Sequence, residues 1–199
     1  SIESAHAYQQ IWTKRGSPLL YHTADLTAKL SEAIGPDLPV EFGMRYGNPS
    51  ILAALAKLKA RGVREIKVLP LYPQYSTAAS ESSIQVTKKH AAKLGLECEF
   101  IKDFFQHDAY LEAVTEVSKP YFANDYDCVV MSYHGLPERH LRKLDKGGKH
   151  CLQSKSCCDA VSTVNRNCYK AQCYATSRAL AKQLNIPSEK YVVAFQSRL

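Results

Sequence analysis

Residues 65–101 read EIKVLPLYPQYSTAASESSIQVTKKHAAKLGLECEFI. The run Glu65–Leu71 is apolar enough for a strand, and its IKVLPL centre suggests a parallel strand covered on both faces. Thr77–Leu94 carries a helical pattern that closes at Gly95, and Leu96–Ile101 is a second strand. A strand, a helix and a strand in succession make a βαβ unit, which implies a parallel sheet.

The same alternation extends outward. On the N-terminal side, Asn48-Pro49 reads as an N-cap and first helical residue. Ile51, Leu52, Leu55 and Leu58 follow at helical spacing, and Gly62 ends the run. A further strand is expected around Val40–Phe42. On the C-terminal side, Tyr110, Leu111, Val114 and Val117 mark a helix that stops before Pro120. Cys128–Met131 form a short strand, Ala171–Leu184 a helix, and Tyr191–Phe195 a last strand. The architecture is doubly wound α/β, and Lys119–Asp125 (KPYFAND) is the best linker between two halves. The sequence opens on a helical pattern and closes at Ser197-Arg198-Leu199 just after a strand. The expectation is an internal piece of a larger protein.

Composition narrows the classes. Of 199 residues, 23% are charged and 45% hydrophobic, with 12 Tyr and 6 Phe, so a packed core is expected rather than disorder. No window approaches the run of roughly 18 apolar residues that a spanning helix needs. The opening SIESAHAYQQIW lacks an apolar core and a leading basic run, so no signal peptide is expected. The net charge of +7 permits an acidic partner. Its densest basic stretch, Glu138–Lys155, has no interleaved stacking aromatics and reads as a solvated loop, so no nucleic-acid partner is expected.

Seven cysteines are unevenly spread. Cys98 and Cys128 sit singly in apolar surroundings, as small buried hydrophobes would. Cys151, Cys157, Cys158, Cys168 and Cys173 cluster. An odd total without a secretion signal argues against a disulfide framework and points to a reducing compartment. Cys151, Cys168 and Cys173 with either Cys158 or Cys157 could ligate iron–sulfur or zinc, or remain free thiols. Their spacing matches no common zinc finger.

Ligands of open α/β sheets bind beyond the carboxyl ends of the strands. Three polar clusters fall there: Gly43–Pro49, Leu71–Ser76 and Ser132–Pro137. His134 is the sharpest residue, since an imidazole after a hydrophobic strand can accept a proton or coordinate a divalent metal. Tyr46, Tyr72 and Tyr75 offer flat apolar faces with polar tips, suited to a planar ligand or to rim packing. No GxGxxG or GxxxxGK[ST] supports a dinucleotide or triphosphate site.

AYQQIWTKRGSPLL, FGMRYGNPSI, VLPLYPQYS, SYHGLPERH and FQSRL, in this order, resemble the ferrochelatases. The resemblance runs nearly end to end apart from about 142–166. It implies two Rossmann-like, chelatase-like domains, both incomplete here: residues 1–120, and residues 121–199 with a cysteine-rich segment at 145–173. It implies insertion of ferrous iron into a porphyrin in haem synthesis, with iron and porphyrin as substrates. The implied catalytic residues are His134 (also the iron site), Arg45 and Tyr46, and the implied substrate-binding residues are Tyr72, Gln74, Tyr75 and Ser76. The family's first strand would precede Ser1 and an acidic motif facing the histidine would follow Leu199, so these 199 residues alone are expected to insert little metal. Some ferrochelatases carry a [2Fe–2S] cluster. The vertebrate type takes a ligand just after PQYS, where Thr77 stands here, so a cluster would use the local cysteines. The alternative is a non-catalytic porphyrin- or iron–sulfur-binding module. The expected location is cytoplasmic, with membrane association and oligomeric state left open.

Overall fold

The computed structural model describes residues 2–196, so Ser197, Arg198 and Leu199 of the FQSRL motif lie outside the described residues. The fold is mixed α/β, with parallel strands flanked by helices. The chain gathers into two compact units, Ser1–Val68 with Ser83–Phe100, and Leu69–Ser82 with Ile101–Leu199.

The first unit contains α1 (Ile2–Ile11), α2 (Pro18–Ile34), α3 (Ile51–Ala60), β1 (Glu65–Val68), nearly all of α4 (Ser82–Leu94) and β2 (Glu97–Phe100). β1 and β2 pair in parallel from Glu65↔Glu97 to Val68↔Phe100. Ile66, Val68, Cys98 and Phe100 share one half-buried face, while Glu65, Lys67, Glu97 and Glu99 stand exposed on the other. The expectation of burial on both faces therefore fails, because period-two alternation puts four charges on one side. β1 also stops at Val68 rather than Leu71, since Pro70 has no N–H to give a ladder. The core beneath is aliphatic: Leu55 of α3, Ala91 of α4 and Leu96, flanked by Ile51, Ile66, Leu94 and Cys98. Burying one such leucine stabilises by about 1.5–3 kcal/mol.

Three expectations need correction in and around this unit. No strand forms at Val40–Phe42; the segment has only an isolated bridge further on, between Met44 and Ser50. Asn48 does not cap α3. The Asn48-Pro49 peptide is cis, and the cap is Ser50, whose Oγ accepts from the Ala53 N–H at 3.2 Å. The helix expected from Thr77 begins with a π turn, Thr77–Glu81, before the α-helix proper.

The second unit holds α5 (Asp108–Ser118), β3 (Val129–His134), α6 (Glu138–Arg142), α7 (Tyr169–Gln183) and β4 (Tyr191–Gln196). A turn of 3-10 helix at Lys119–Phe122 falls in the expected linker. β3 and β4 pair in parallel from Val129↔Tyr191 to His134↔Gln196, and the Gly135 N–H extends the ladder to the Gln196 carbonyl at 2.6 Å. Val129, Met131 and Tyr133 turn inward; Val130, Ser132 and His134 are exposed. Tyr133, Tyr169 and Tyr174 surround Phe195 with ring centroids 6.0, 6.4 and 6.2 Å away.

Helix α7 buries Ala171, Gln172, Cys173, Ala175, Thr176, Ser177 and Ala181. Its neighbour α5 is tied to it by the Thr115 hydroxyl, 2.6 Å from Gln183 Oε1. The basic stretch expected to be a loop is only partly so, because Leu141 of α6 packs with Cys157, Cys158, Cys168 and Ala171 in a buried cluster. Cys128 is exposed, not buried: it lies just before β3, outside the ladder with β4 that starts at Val129. Cys98 is half-buried, and burial raises its thiol pKa. Among the described residues, no helix is long and apolar enough to cross a membrane.

Candidate active site

His134 ends β3 at the carboxyl edge of a parallel pair, the edge at which open α/β sheets bind ligands. Its side chain is exposed, as the strand's alternation requires. The backbone behind it is fixed. Gln196 pairs with it in register, and the phenol of Tyr169 takes a hydrogen bond from its main chain. One residue earlier, Tyr133 turns into the unit, with its hydroxyl 2.9 Å from Ser177 Oγ. Burial pushes the Tyr133 phenol up to about 12, so it stays a neutral hydrogen-bonding group at physiological pH.

The Tyr72–Ser76 loop divides between surface and interior. Tyr72 is 39% exposed, whereas Gln74, Tyr75 and Ser76 are buried. Gln74 Nε2 donates to Thr176 Oγ1 at 3.0 Å. The Tyr75 N–H donates to Gln172 Oε1 at 2.6 Å, and the Tyr75 hydroxyl donates to Glu81 at 3.1 Å. Burial first, then the Glu81 carboxylate, pushes the Tyr75 phenol up to about 12. The Ser76 N–H donates to Ser80 Oγ at 2.8 Å, and Ser76 Oγ accepts from the Ala79 N–H at 3.1 Å, capping the π turn. The structure thus joins the loop to α7 and, through Ser177, to the residue before His134. Gln172, Thr176 and Ser177 do this joining, and the sequence reading did not single them out. Their signal was a helix face carrying Gln and Thr four residues apart, at positions where an apolar stripe was due.

Arg45 and Tyr46 belong to the first unit. The Arg45 guanidinium lies 4.5 Å over the Tyr46 ring, and Tyr46 is 77% exposed. Their loop returns tightly to α3: the Met44 N–H reaches the Pro49 carbonyl at 2.7 Å. A Cβ on Gly43 would lie 2.6 Å from Ile51 Cα, so only glycine lets the loop pass that close to the helix start.

The cysteine-rich segment is ordered by two polar side chains. The Asp145 carboxylate accepts N–H groups from Gly148, His150 and Cys151 at 3.1, 2.8 and 2.7 Å. Those backbone donors, Cys151 foremost, hold its pKa below the usual carboxylate range. Buried Asn165 donates to the Cys157 and Ala160 carbonyls and accepts from the Ser162 N–H. Within this frame the Cys157 and Cys158 sulfurs lie 3.6 Å apart, and Cys158 is hydrogen-bonded to Cys168. The Cys158 thiol is raised by that bond and by burial. Cys168, at the N-cap of α7, is lowered to about 6 by the Cys158 bond and the Ala171 and Lys170 N–H groups. Cys151 sits at the edge of the group, interacting with Cys168 and Cys157, and burial raises it. A cavity of about 530 Å³ opens beside Cys151, Cys157, Cys158 and Cys168. Cys173 is fully buried, bonded to the Tyr169 side chain, and raised to about 12 by burial. All seven cysteines are free. Among the described residues, no group of three or more His, Cys, Asp or Glu side chains is arranged to enclose a metal ion.

The fold is that of the parallel α/β proteins, with an exposed histidine at the carboxyl end of β3, the edge at which open α/β sheets bind ligands. A sequence model described as Ferrochelatase matches residues 1–199. Ferrochelatases of Opitutus terrae, Pseudomonas entomophila and Legionella pneumophila are 43%, 42% and 44% identical over 100%, 99% and 100% of the chain. The chain spans 58% of the length of the first of these and 59% of the other two. It belongs to the ferrochelatase family.

Proposed function

We propose that the protein is a lyase that inserts ferrous iron into a porphyrin for haem synthesis. Insertion replaces two pyrrole N–H protons by one Fe²⁺, so two protons must leave while the ion sheds its water. The observation that carries this reading is His134, exposed at the carboxyl end of β3 in a chain that matches the family along its length. Its imidazole would take a pyrrole proton or ligate the incoming iron, roles an exposed ring at a sheet edge can fill. Arg45 and Tyr46 would handle the approaching ion, with the guanidinium stacked on the ring. Tyr72 would offer an apolar face to the macrocycle. Gln74, Tyr75 and Ser76 would serve by fixing the loop that carries it, since their polar groups are spent inside the unit.

The thiols match the donor chemistry of a [2Fe–2S] cluster, but as they stand among the described residues they are not arranged to enclose a metal ion. Cys151, Cys157, Cys158 and Cys168 would be its donors, since Cys157, Cys158 and Cys168 are buried together and half-buried Cys151 packs at their edge. Cys173 stays outside this set as a protonated core thiol. Such a cluster, when bound, supplies a one-electron centre and a covalent staple. Seven free thiols suit a reducing compartment such as the cytoplasm.

The test replaces His134 by Ala in the enzyme of family-typical length that contains this chain. Metal insertion is followed by quenching of porphyrin fluorescence with Fe(II). We expect loss of about 10²-fold or more, with the melting temperature unchanged because the ring is exposed. Turnover retained in H134A removes His134 from the chemistry. A Soret shift without turnover in the unaltered enzyme supports a porphyrin-binding module instead.

A further inference from the structure

We propose that Gln172 is a positioning residue, which locks the backbone of the Tyr72–Ser76 loop to the Arg166 carbonyl inside the cysteine-rich segment. The inference rests on that loop serving the porphyrin site as proposed above. Gln172 has no exposed surface. Its Oε1 accepts the Tyr75 N–H at 2.6 Å and its Nε2 donates to the Arg166 carbonyl at 2.7 Å. One amide therefore joins two segments far apart in sequence. Only an amide does this, since a carboxylate lacks the donor and an aliphatic chain lacks both.

Each end of the bridge is itself held. Arg166 forks onto Asp103 at 2.8 and 3.2 Å and lies 4.9 Å over the Phe105 ring. One turn along α7, Thr176 accepts from Gln74 Nε2 at 3.0 Å and lies 2.9 Å from the Phe105 carbonyl. Phe105 and Arg166 thus bracket this part of the segment, and Gln172 and Thr176 index the loop against it. A displacement of the Arg166 backbone is passed toward the Tyr75 amide through the fully buried Gln172 side chain, which bonds both. Only Asn167 separates Arg166 from Cys168, so the order of the thiol group is coupled to the loop along this path.

The experiment uses the family-length enzyme with the variants Gln172→Met and Arg166→Ala. Gln172→Met keeps the volume and deletes both bonds. Arg166→Ala removes only a half-exposed anchor, so it folds if the first does not. Porphyrin metalation kinetics are measured together with hydrogen exchange at the Tyr75 amide. Gln172→Met is expected to lower kcat by about tenfold with porphyrin KM within about twofold, as misplacement rather than lost binding would do. Tyr75 amide exchange should rise by at least about tenfold in Gln172→Met and by about threefold in Arg166→Ala, with Leu55 unchanged. Unchanged Tyr75 exchange in both variants overturns the latch. Faster exchange with unchanged kcat overturns the positioning role. No turnover in the unaltered enzyme, with the exchange changes still seen in the variants, defeats the proposed function and leaves the latch standing.

Discussion

The two parallel strand pairs are built alike and buried differently. β1 and β2 rest on Leu55, Ala91 and Leu96, an aliphatic patch with no hydrogen bond to satisfy. β3 and β4 rest on tyrosines around Phe195 and on α7, whose buried face carries Gln172, Thr176 and Ser177. Aliphatic packing is non-directional and tolerates sliding, whereas each buried amide or hydroxyl fixes a partner at one distance. The first pair therefore supplies stability, and the second supplies position to the loop and strand that carry Tyr72 and His134.

The contrast predicts separate failures. Leu55→Ala should cost about 2–5 kcal/mol in urea unfolding, by lost transfer energy and a cavity, while leaving the Tyr75 amide as protected as before. Loss of protection at Tyr75 would merge the two regions into one cooperative network. Thr176→Val is nearly isosteric and leaves Gln74 Nε2 and the Phe105 carbonyl without their partner. It should cost about 1–3 kcal/mol and lower porphyrin turnover more than Leu55→Ala does. The reverse ranking of turnover would break the comparison.

The smallest effect is a late titration. Tyr75 and Tyr133 have folded pKa values raised from 10.0 to about 12. Their neutral phenols are favoured by the fold, so this stability is fully present below pH 10 and is lost as pH rises through about 12. Absorbance at phenolate wavelengths should show Tyr75 and Tyr133 in a late-ionising group with Tyr110 and Tyr169, whose phenols burial also raises, and Tyr75→Phe or Tyr133→Phe should each remove one member of it. Ordinary titration of both would place their rings at the surface.

The βαβ unit at 65–101 was legible because Gly62 and Gly95 punctuate it and the apolar periods differ between strand and helix. The one-sided burial of β1 and β2 was equally written in Glu65, Lys67, Glu97 and Glu99, though the apolar run Val68–Leu71 masked it. The cap of α3 was misplaced by two residues, because Asn48-Pro49 and Ser50 are both good local signals and only the path of the loop chooses between them. At the site, His134 was legible as a polar residue just after a hydrophobic strand, whereas the strand in fact runs on from Met131 to end at His134 itself. The inward turn of Gln74, Tyr75 and Ser76 was not, since their partners Thr176, Gln172 and Ser80 lie up to 102 residues away.

Periodicity and punctuation are local, so the order of residues alone determined most helices and strands, their parallel sense and the family, though not the strand expected at Val40–Phe42. Contacts between distant segments decided the rest. They grouped four cysteines and left Cys173 apart, and they paired one buried glutamine with both a loop amide and a carbonyl. A residue's type states which bonds it can make, and only folding brings it the partner that makes them.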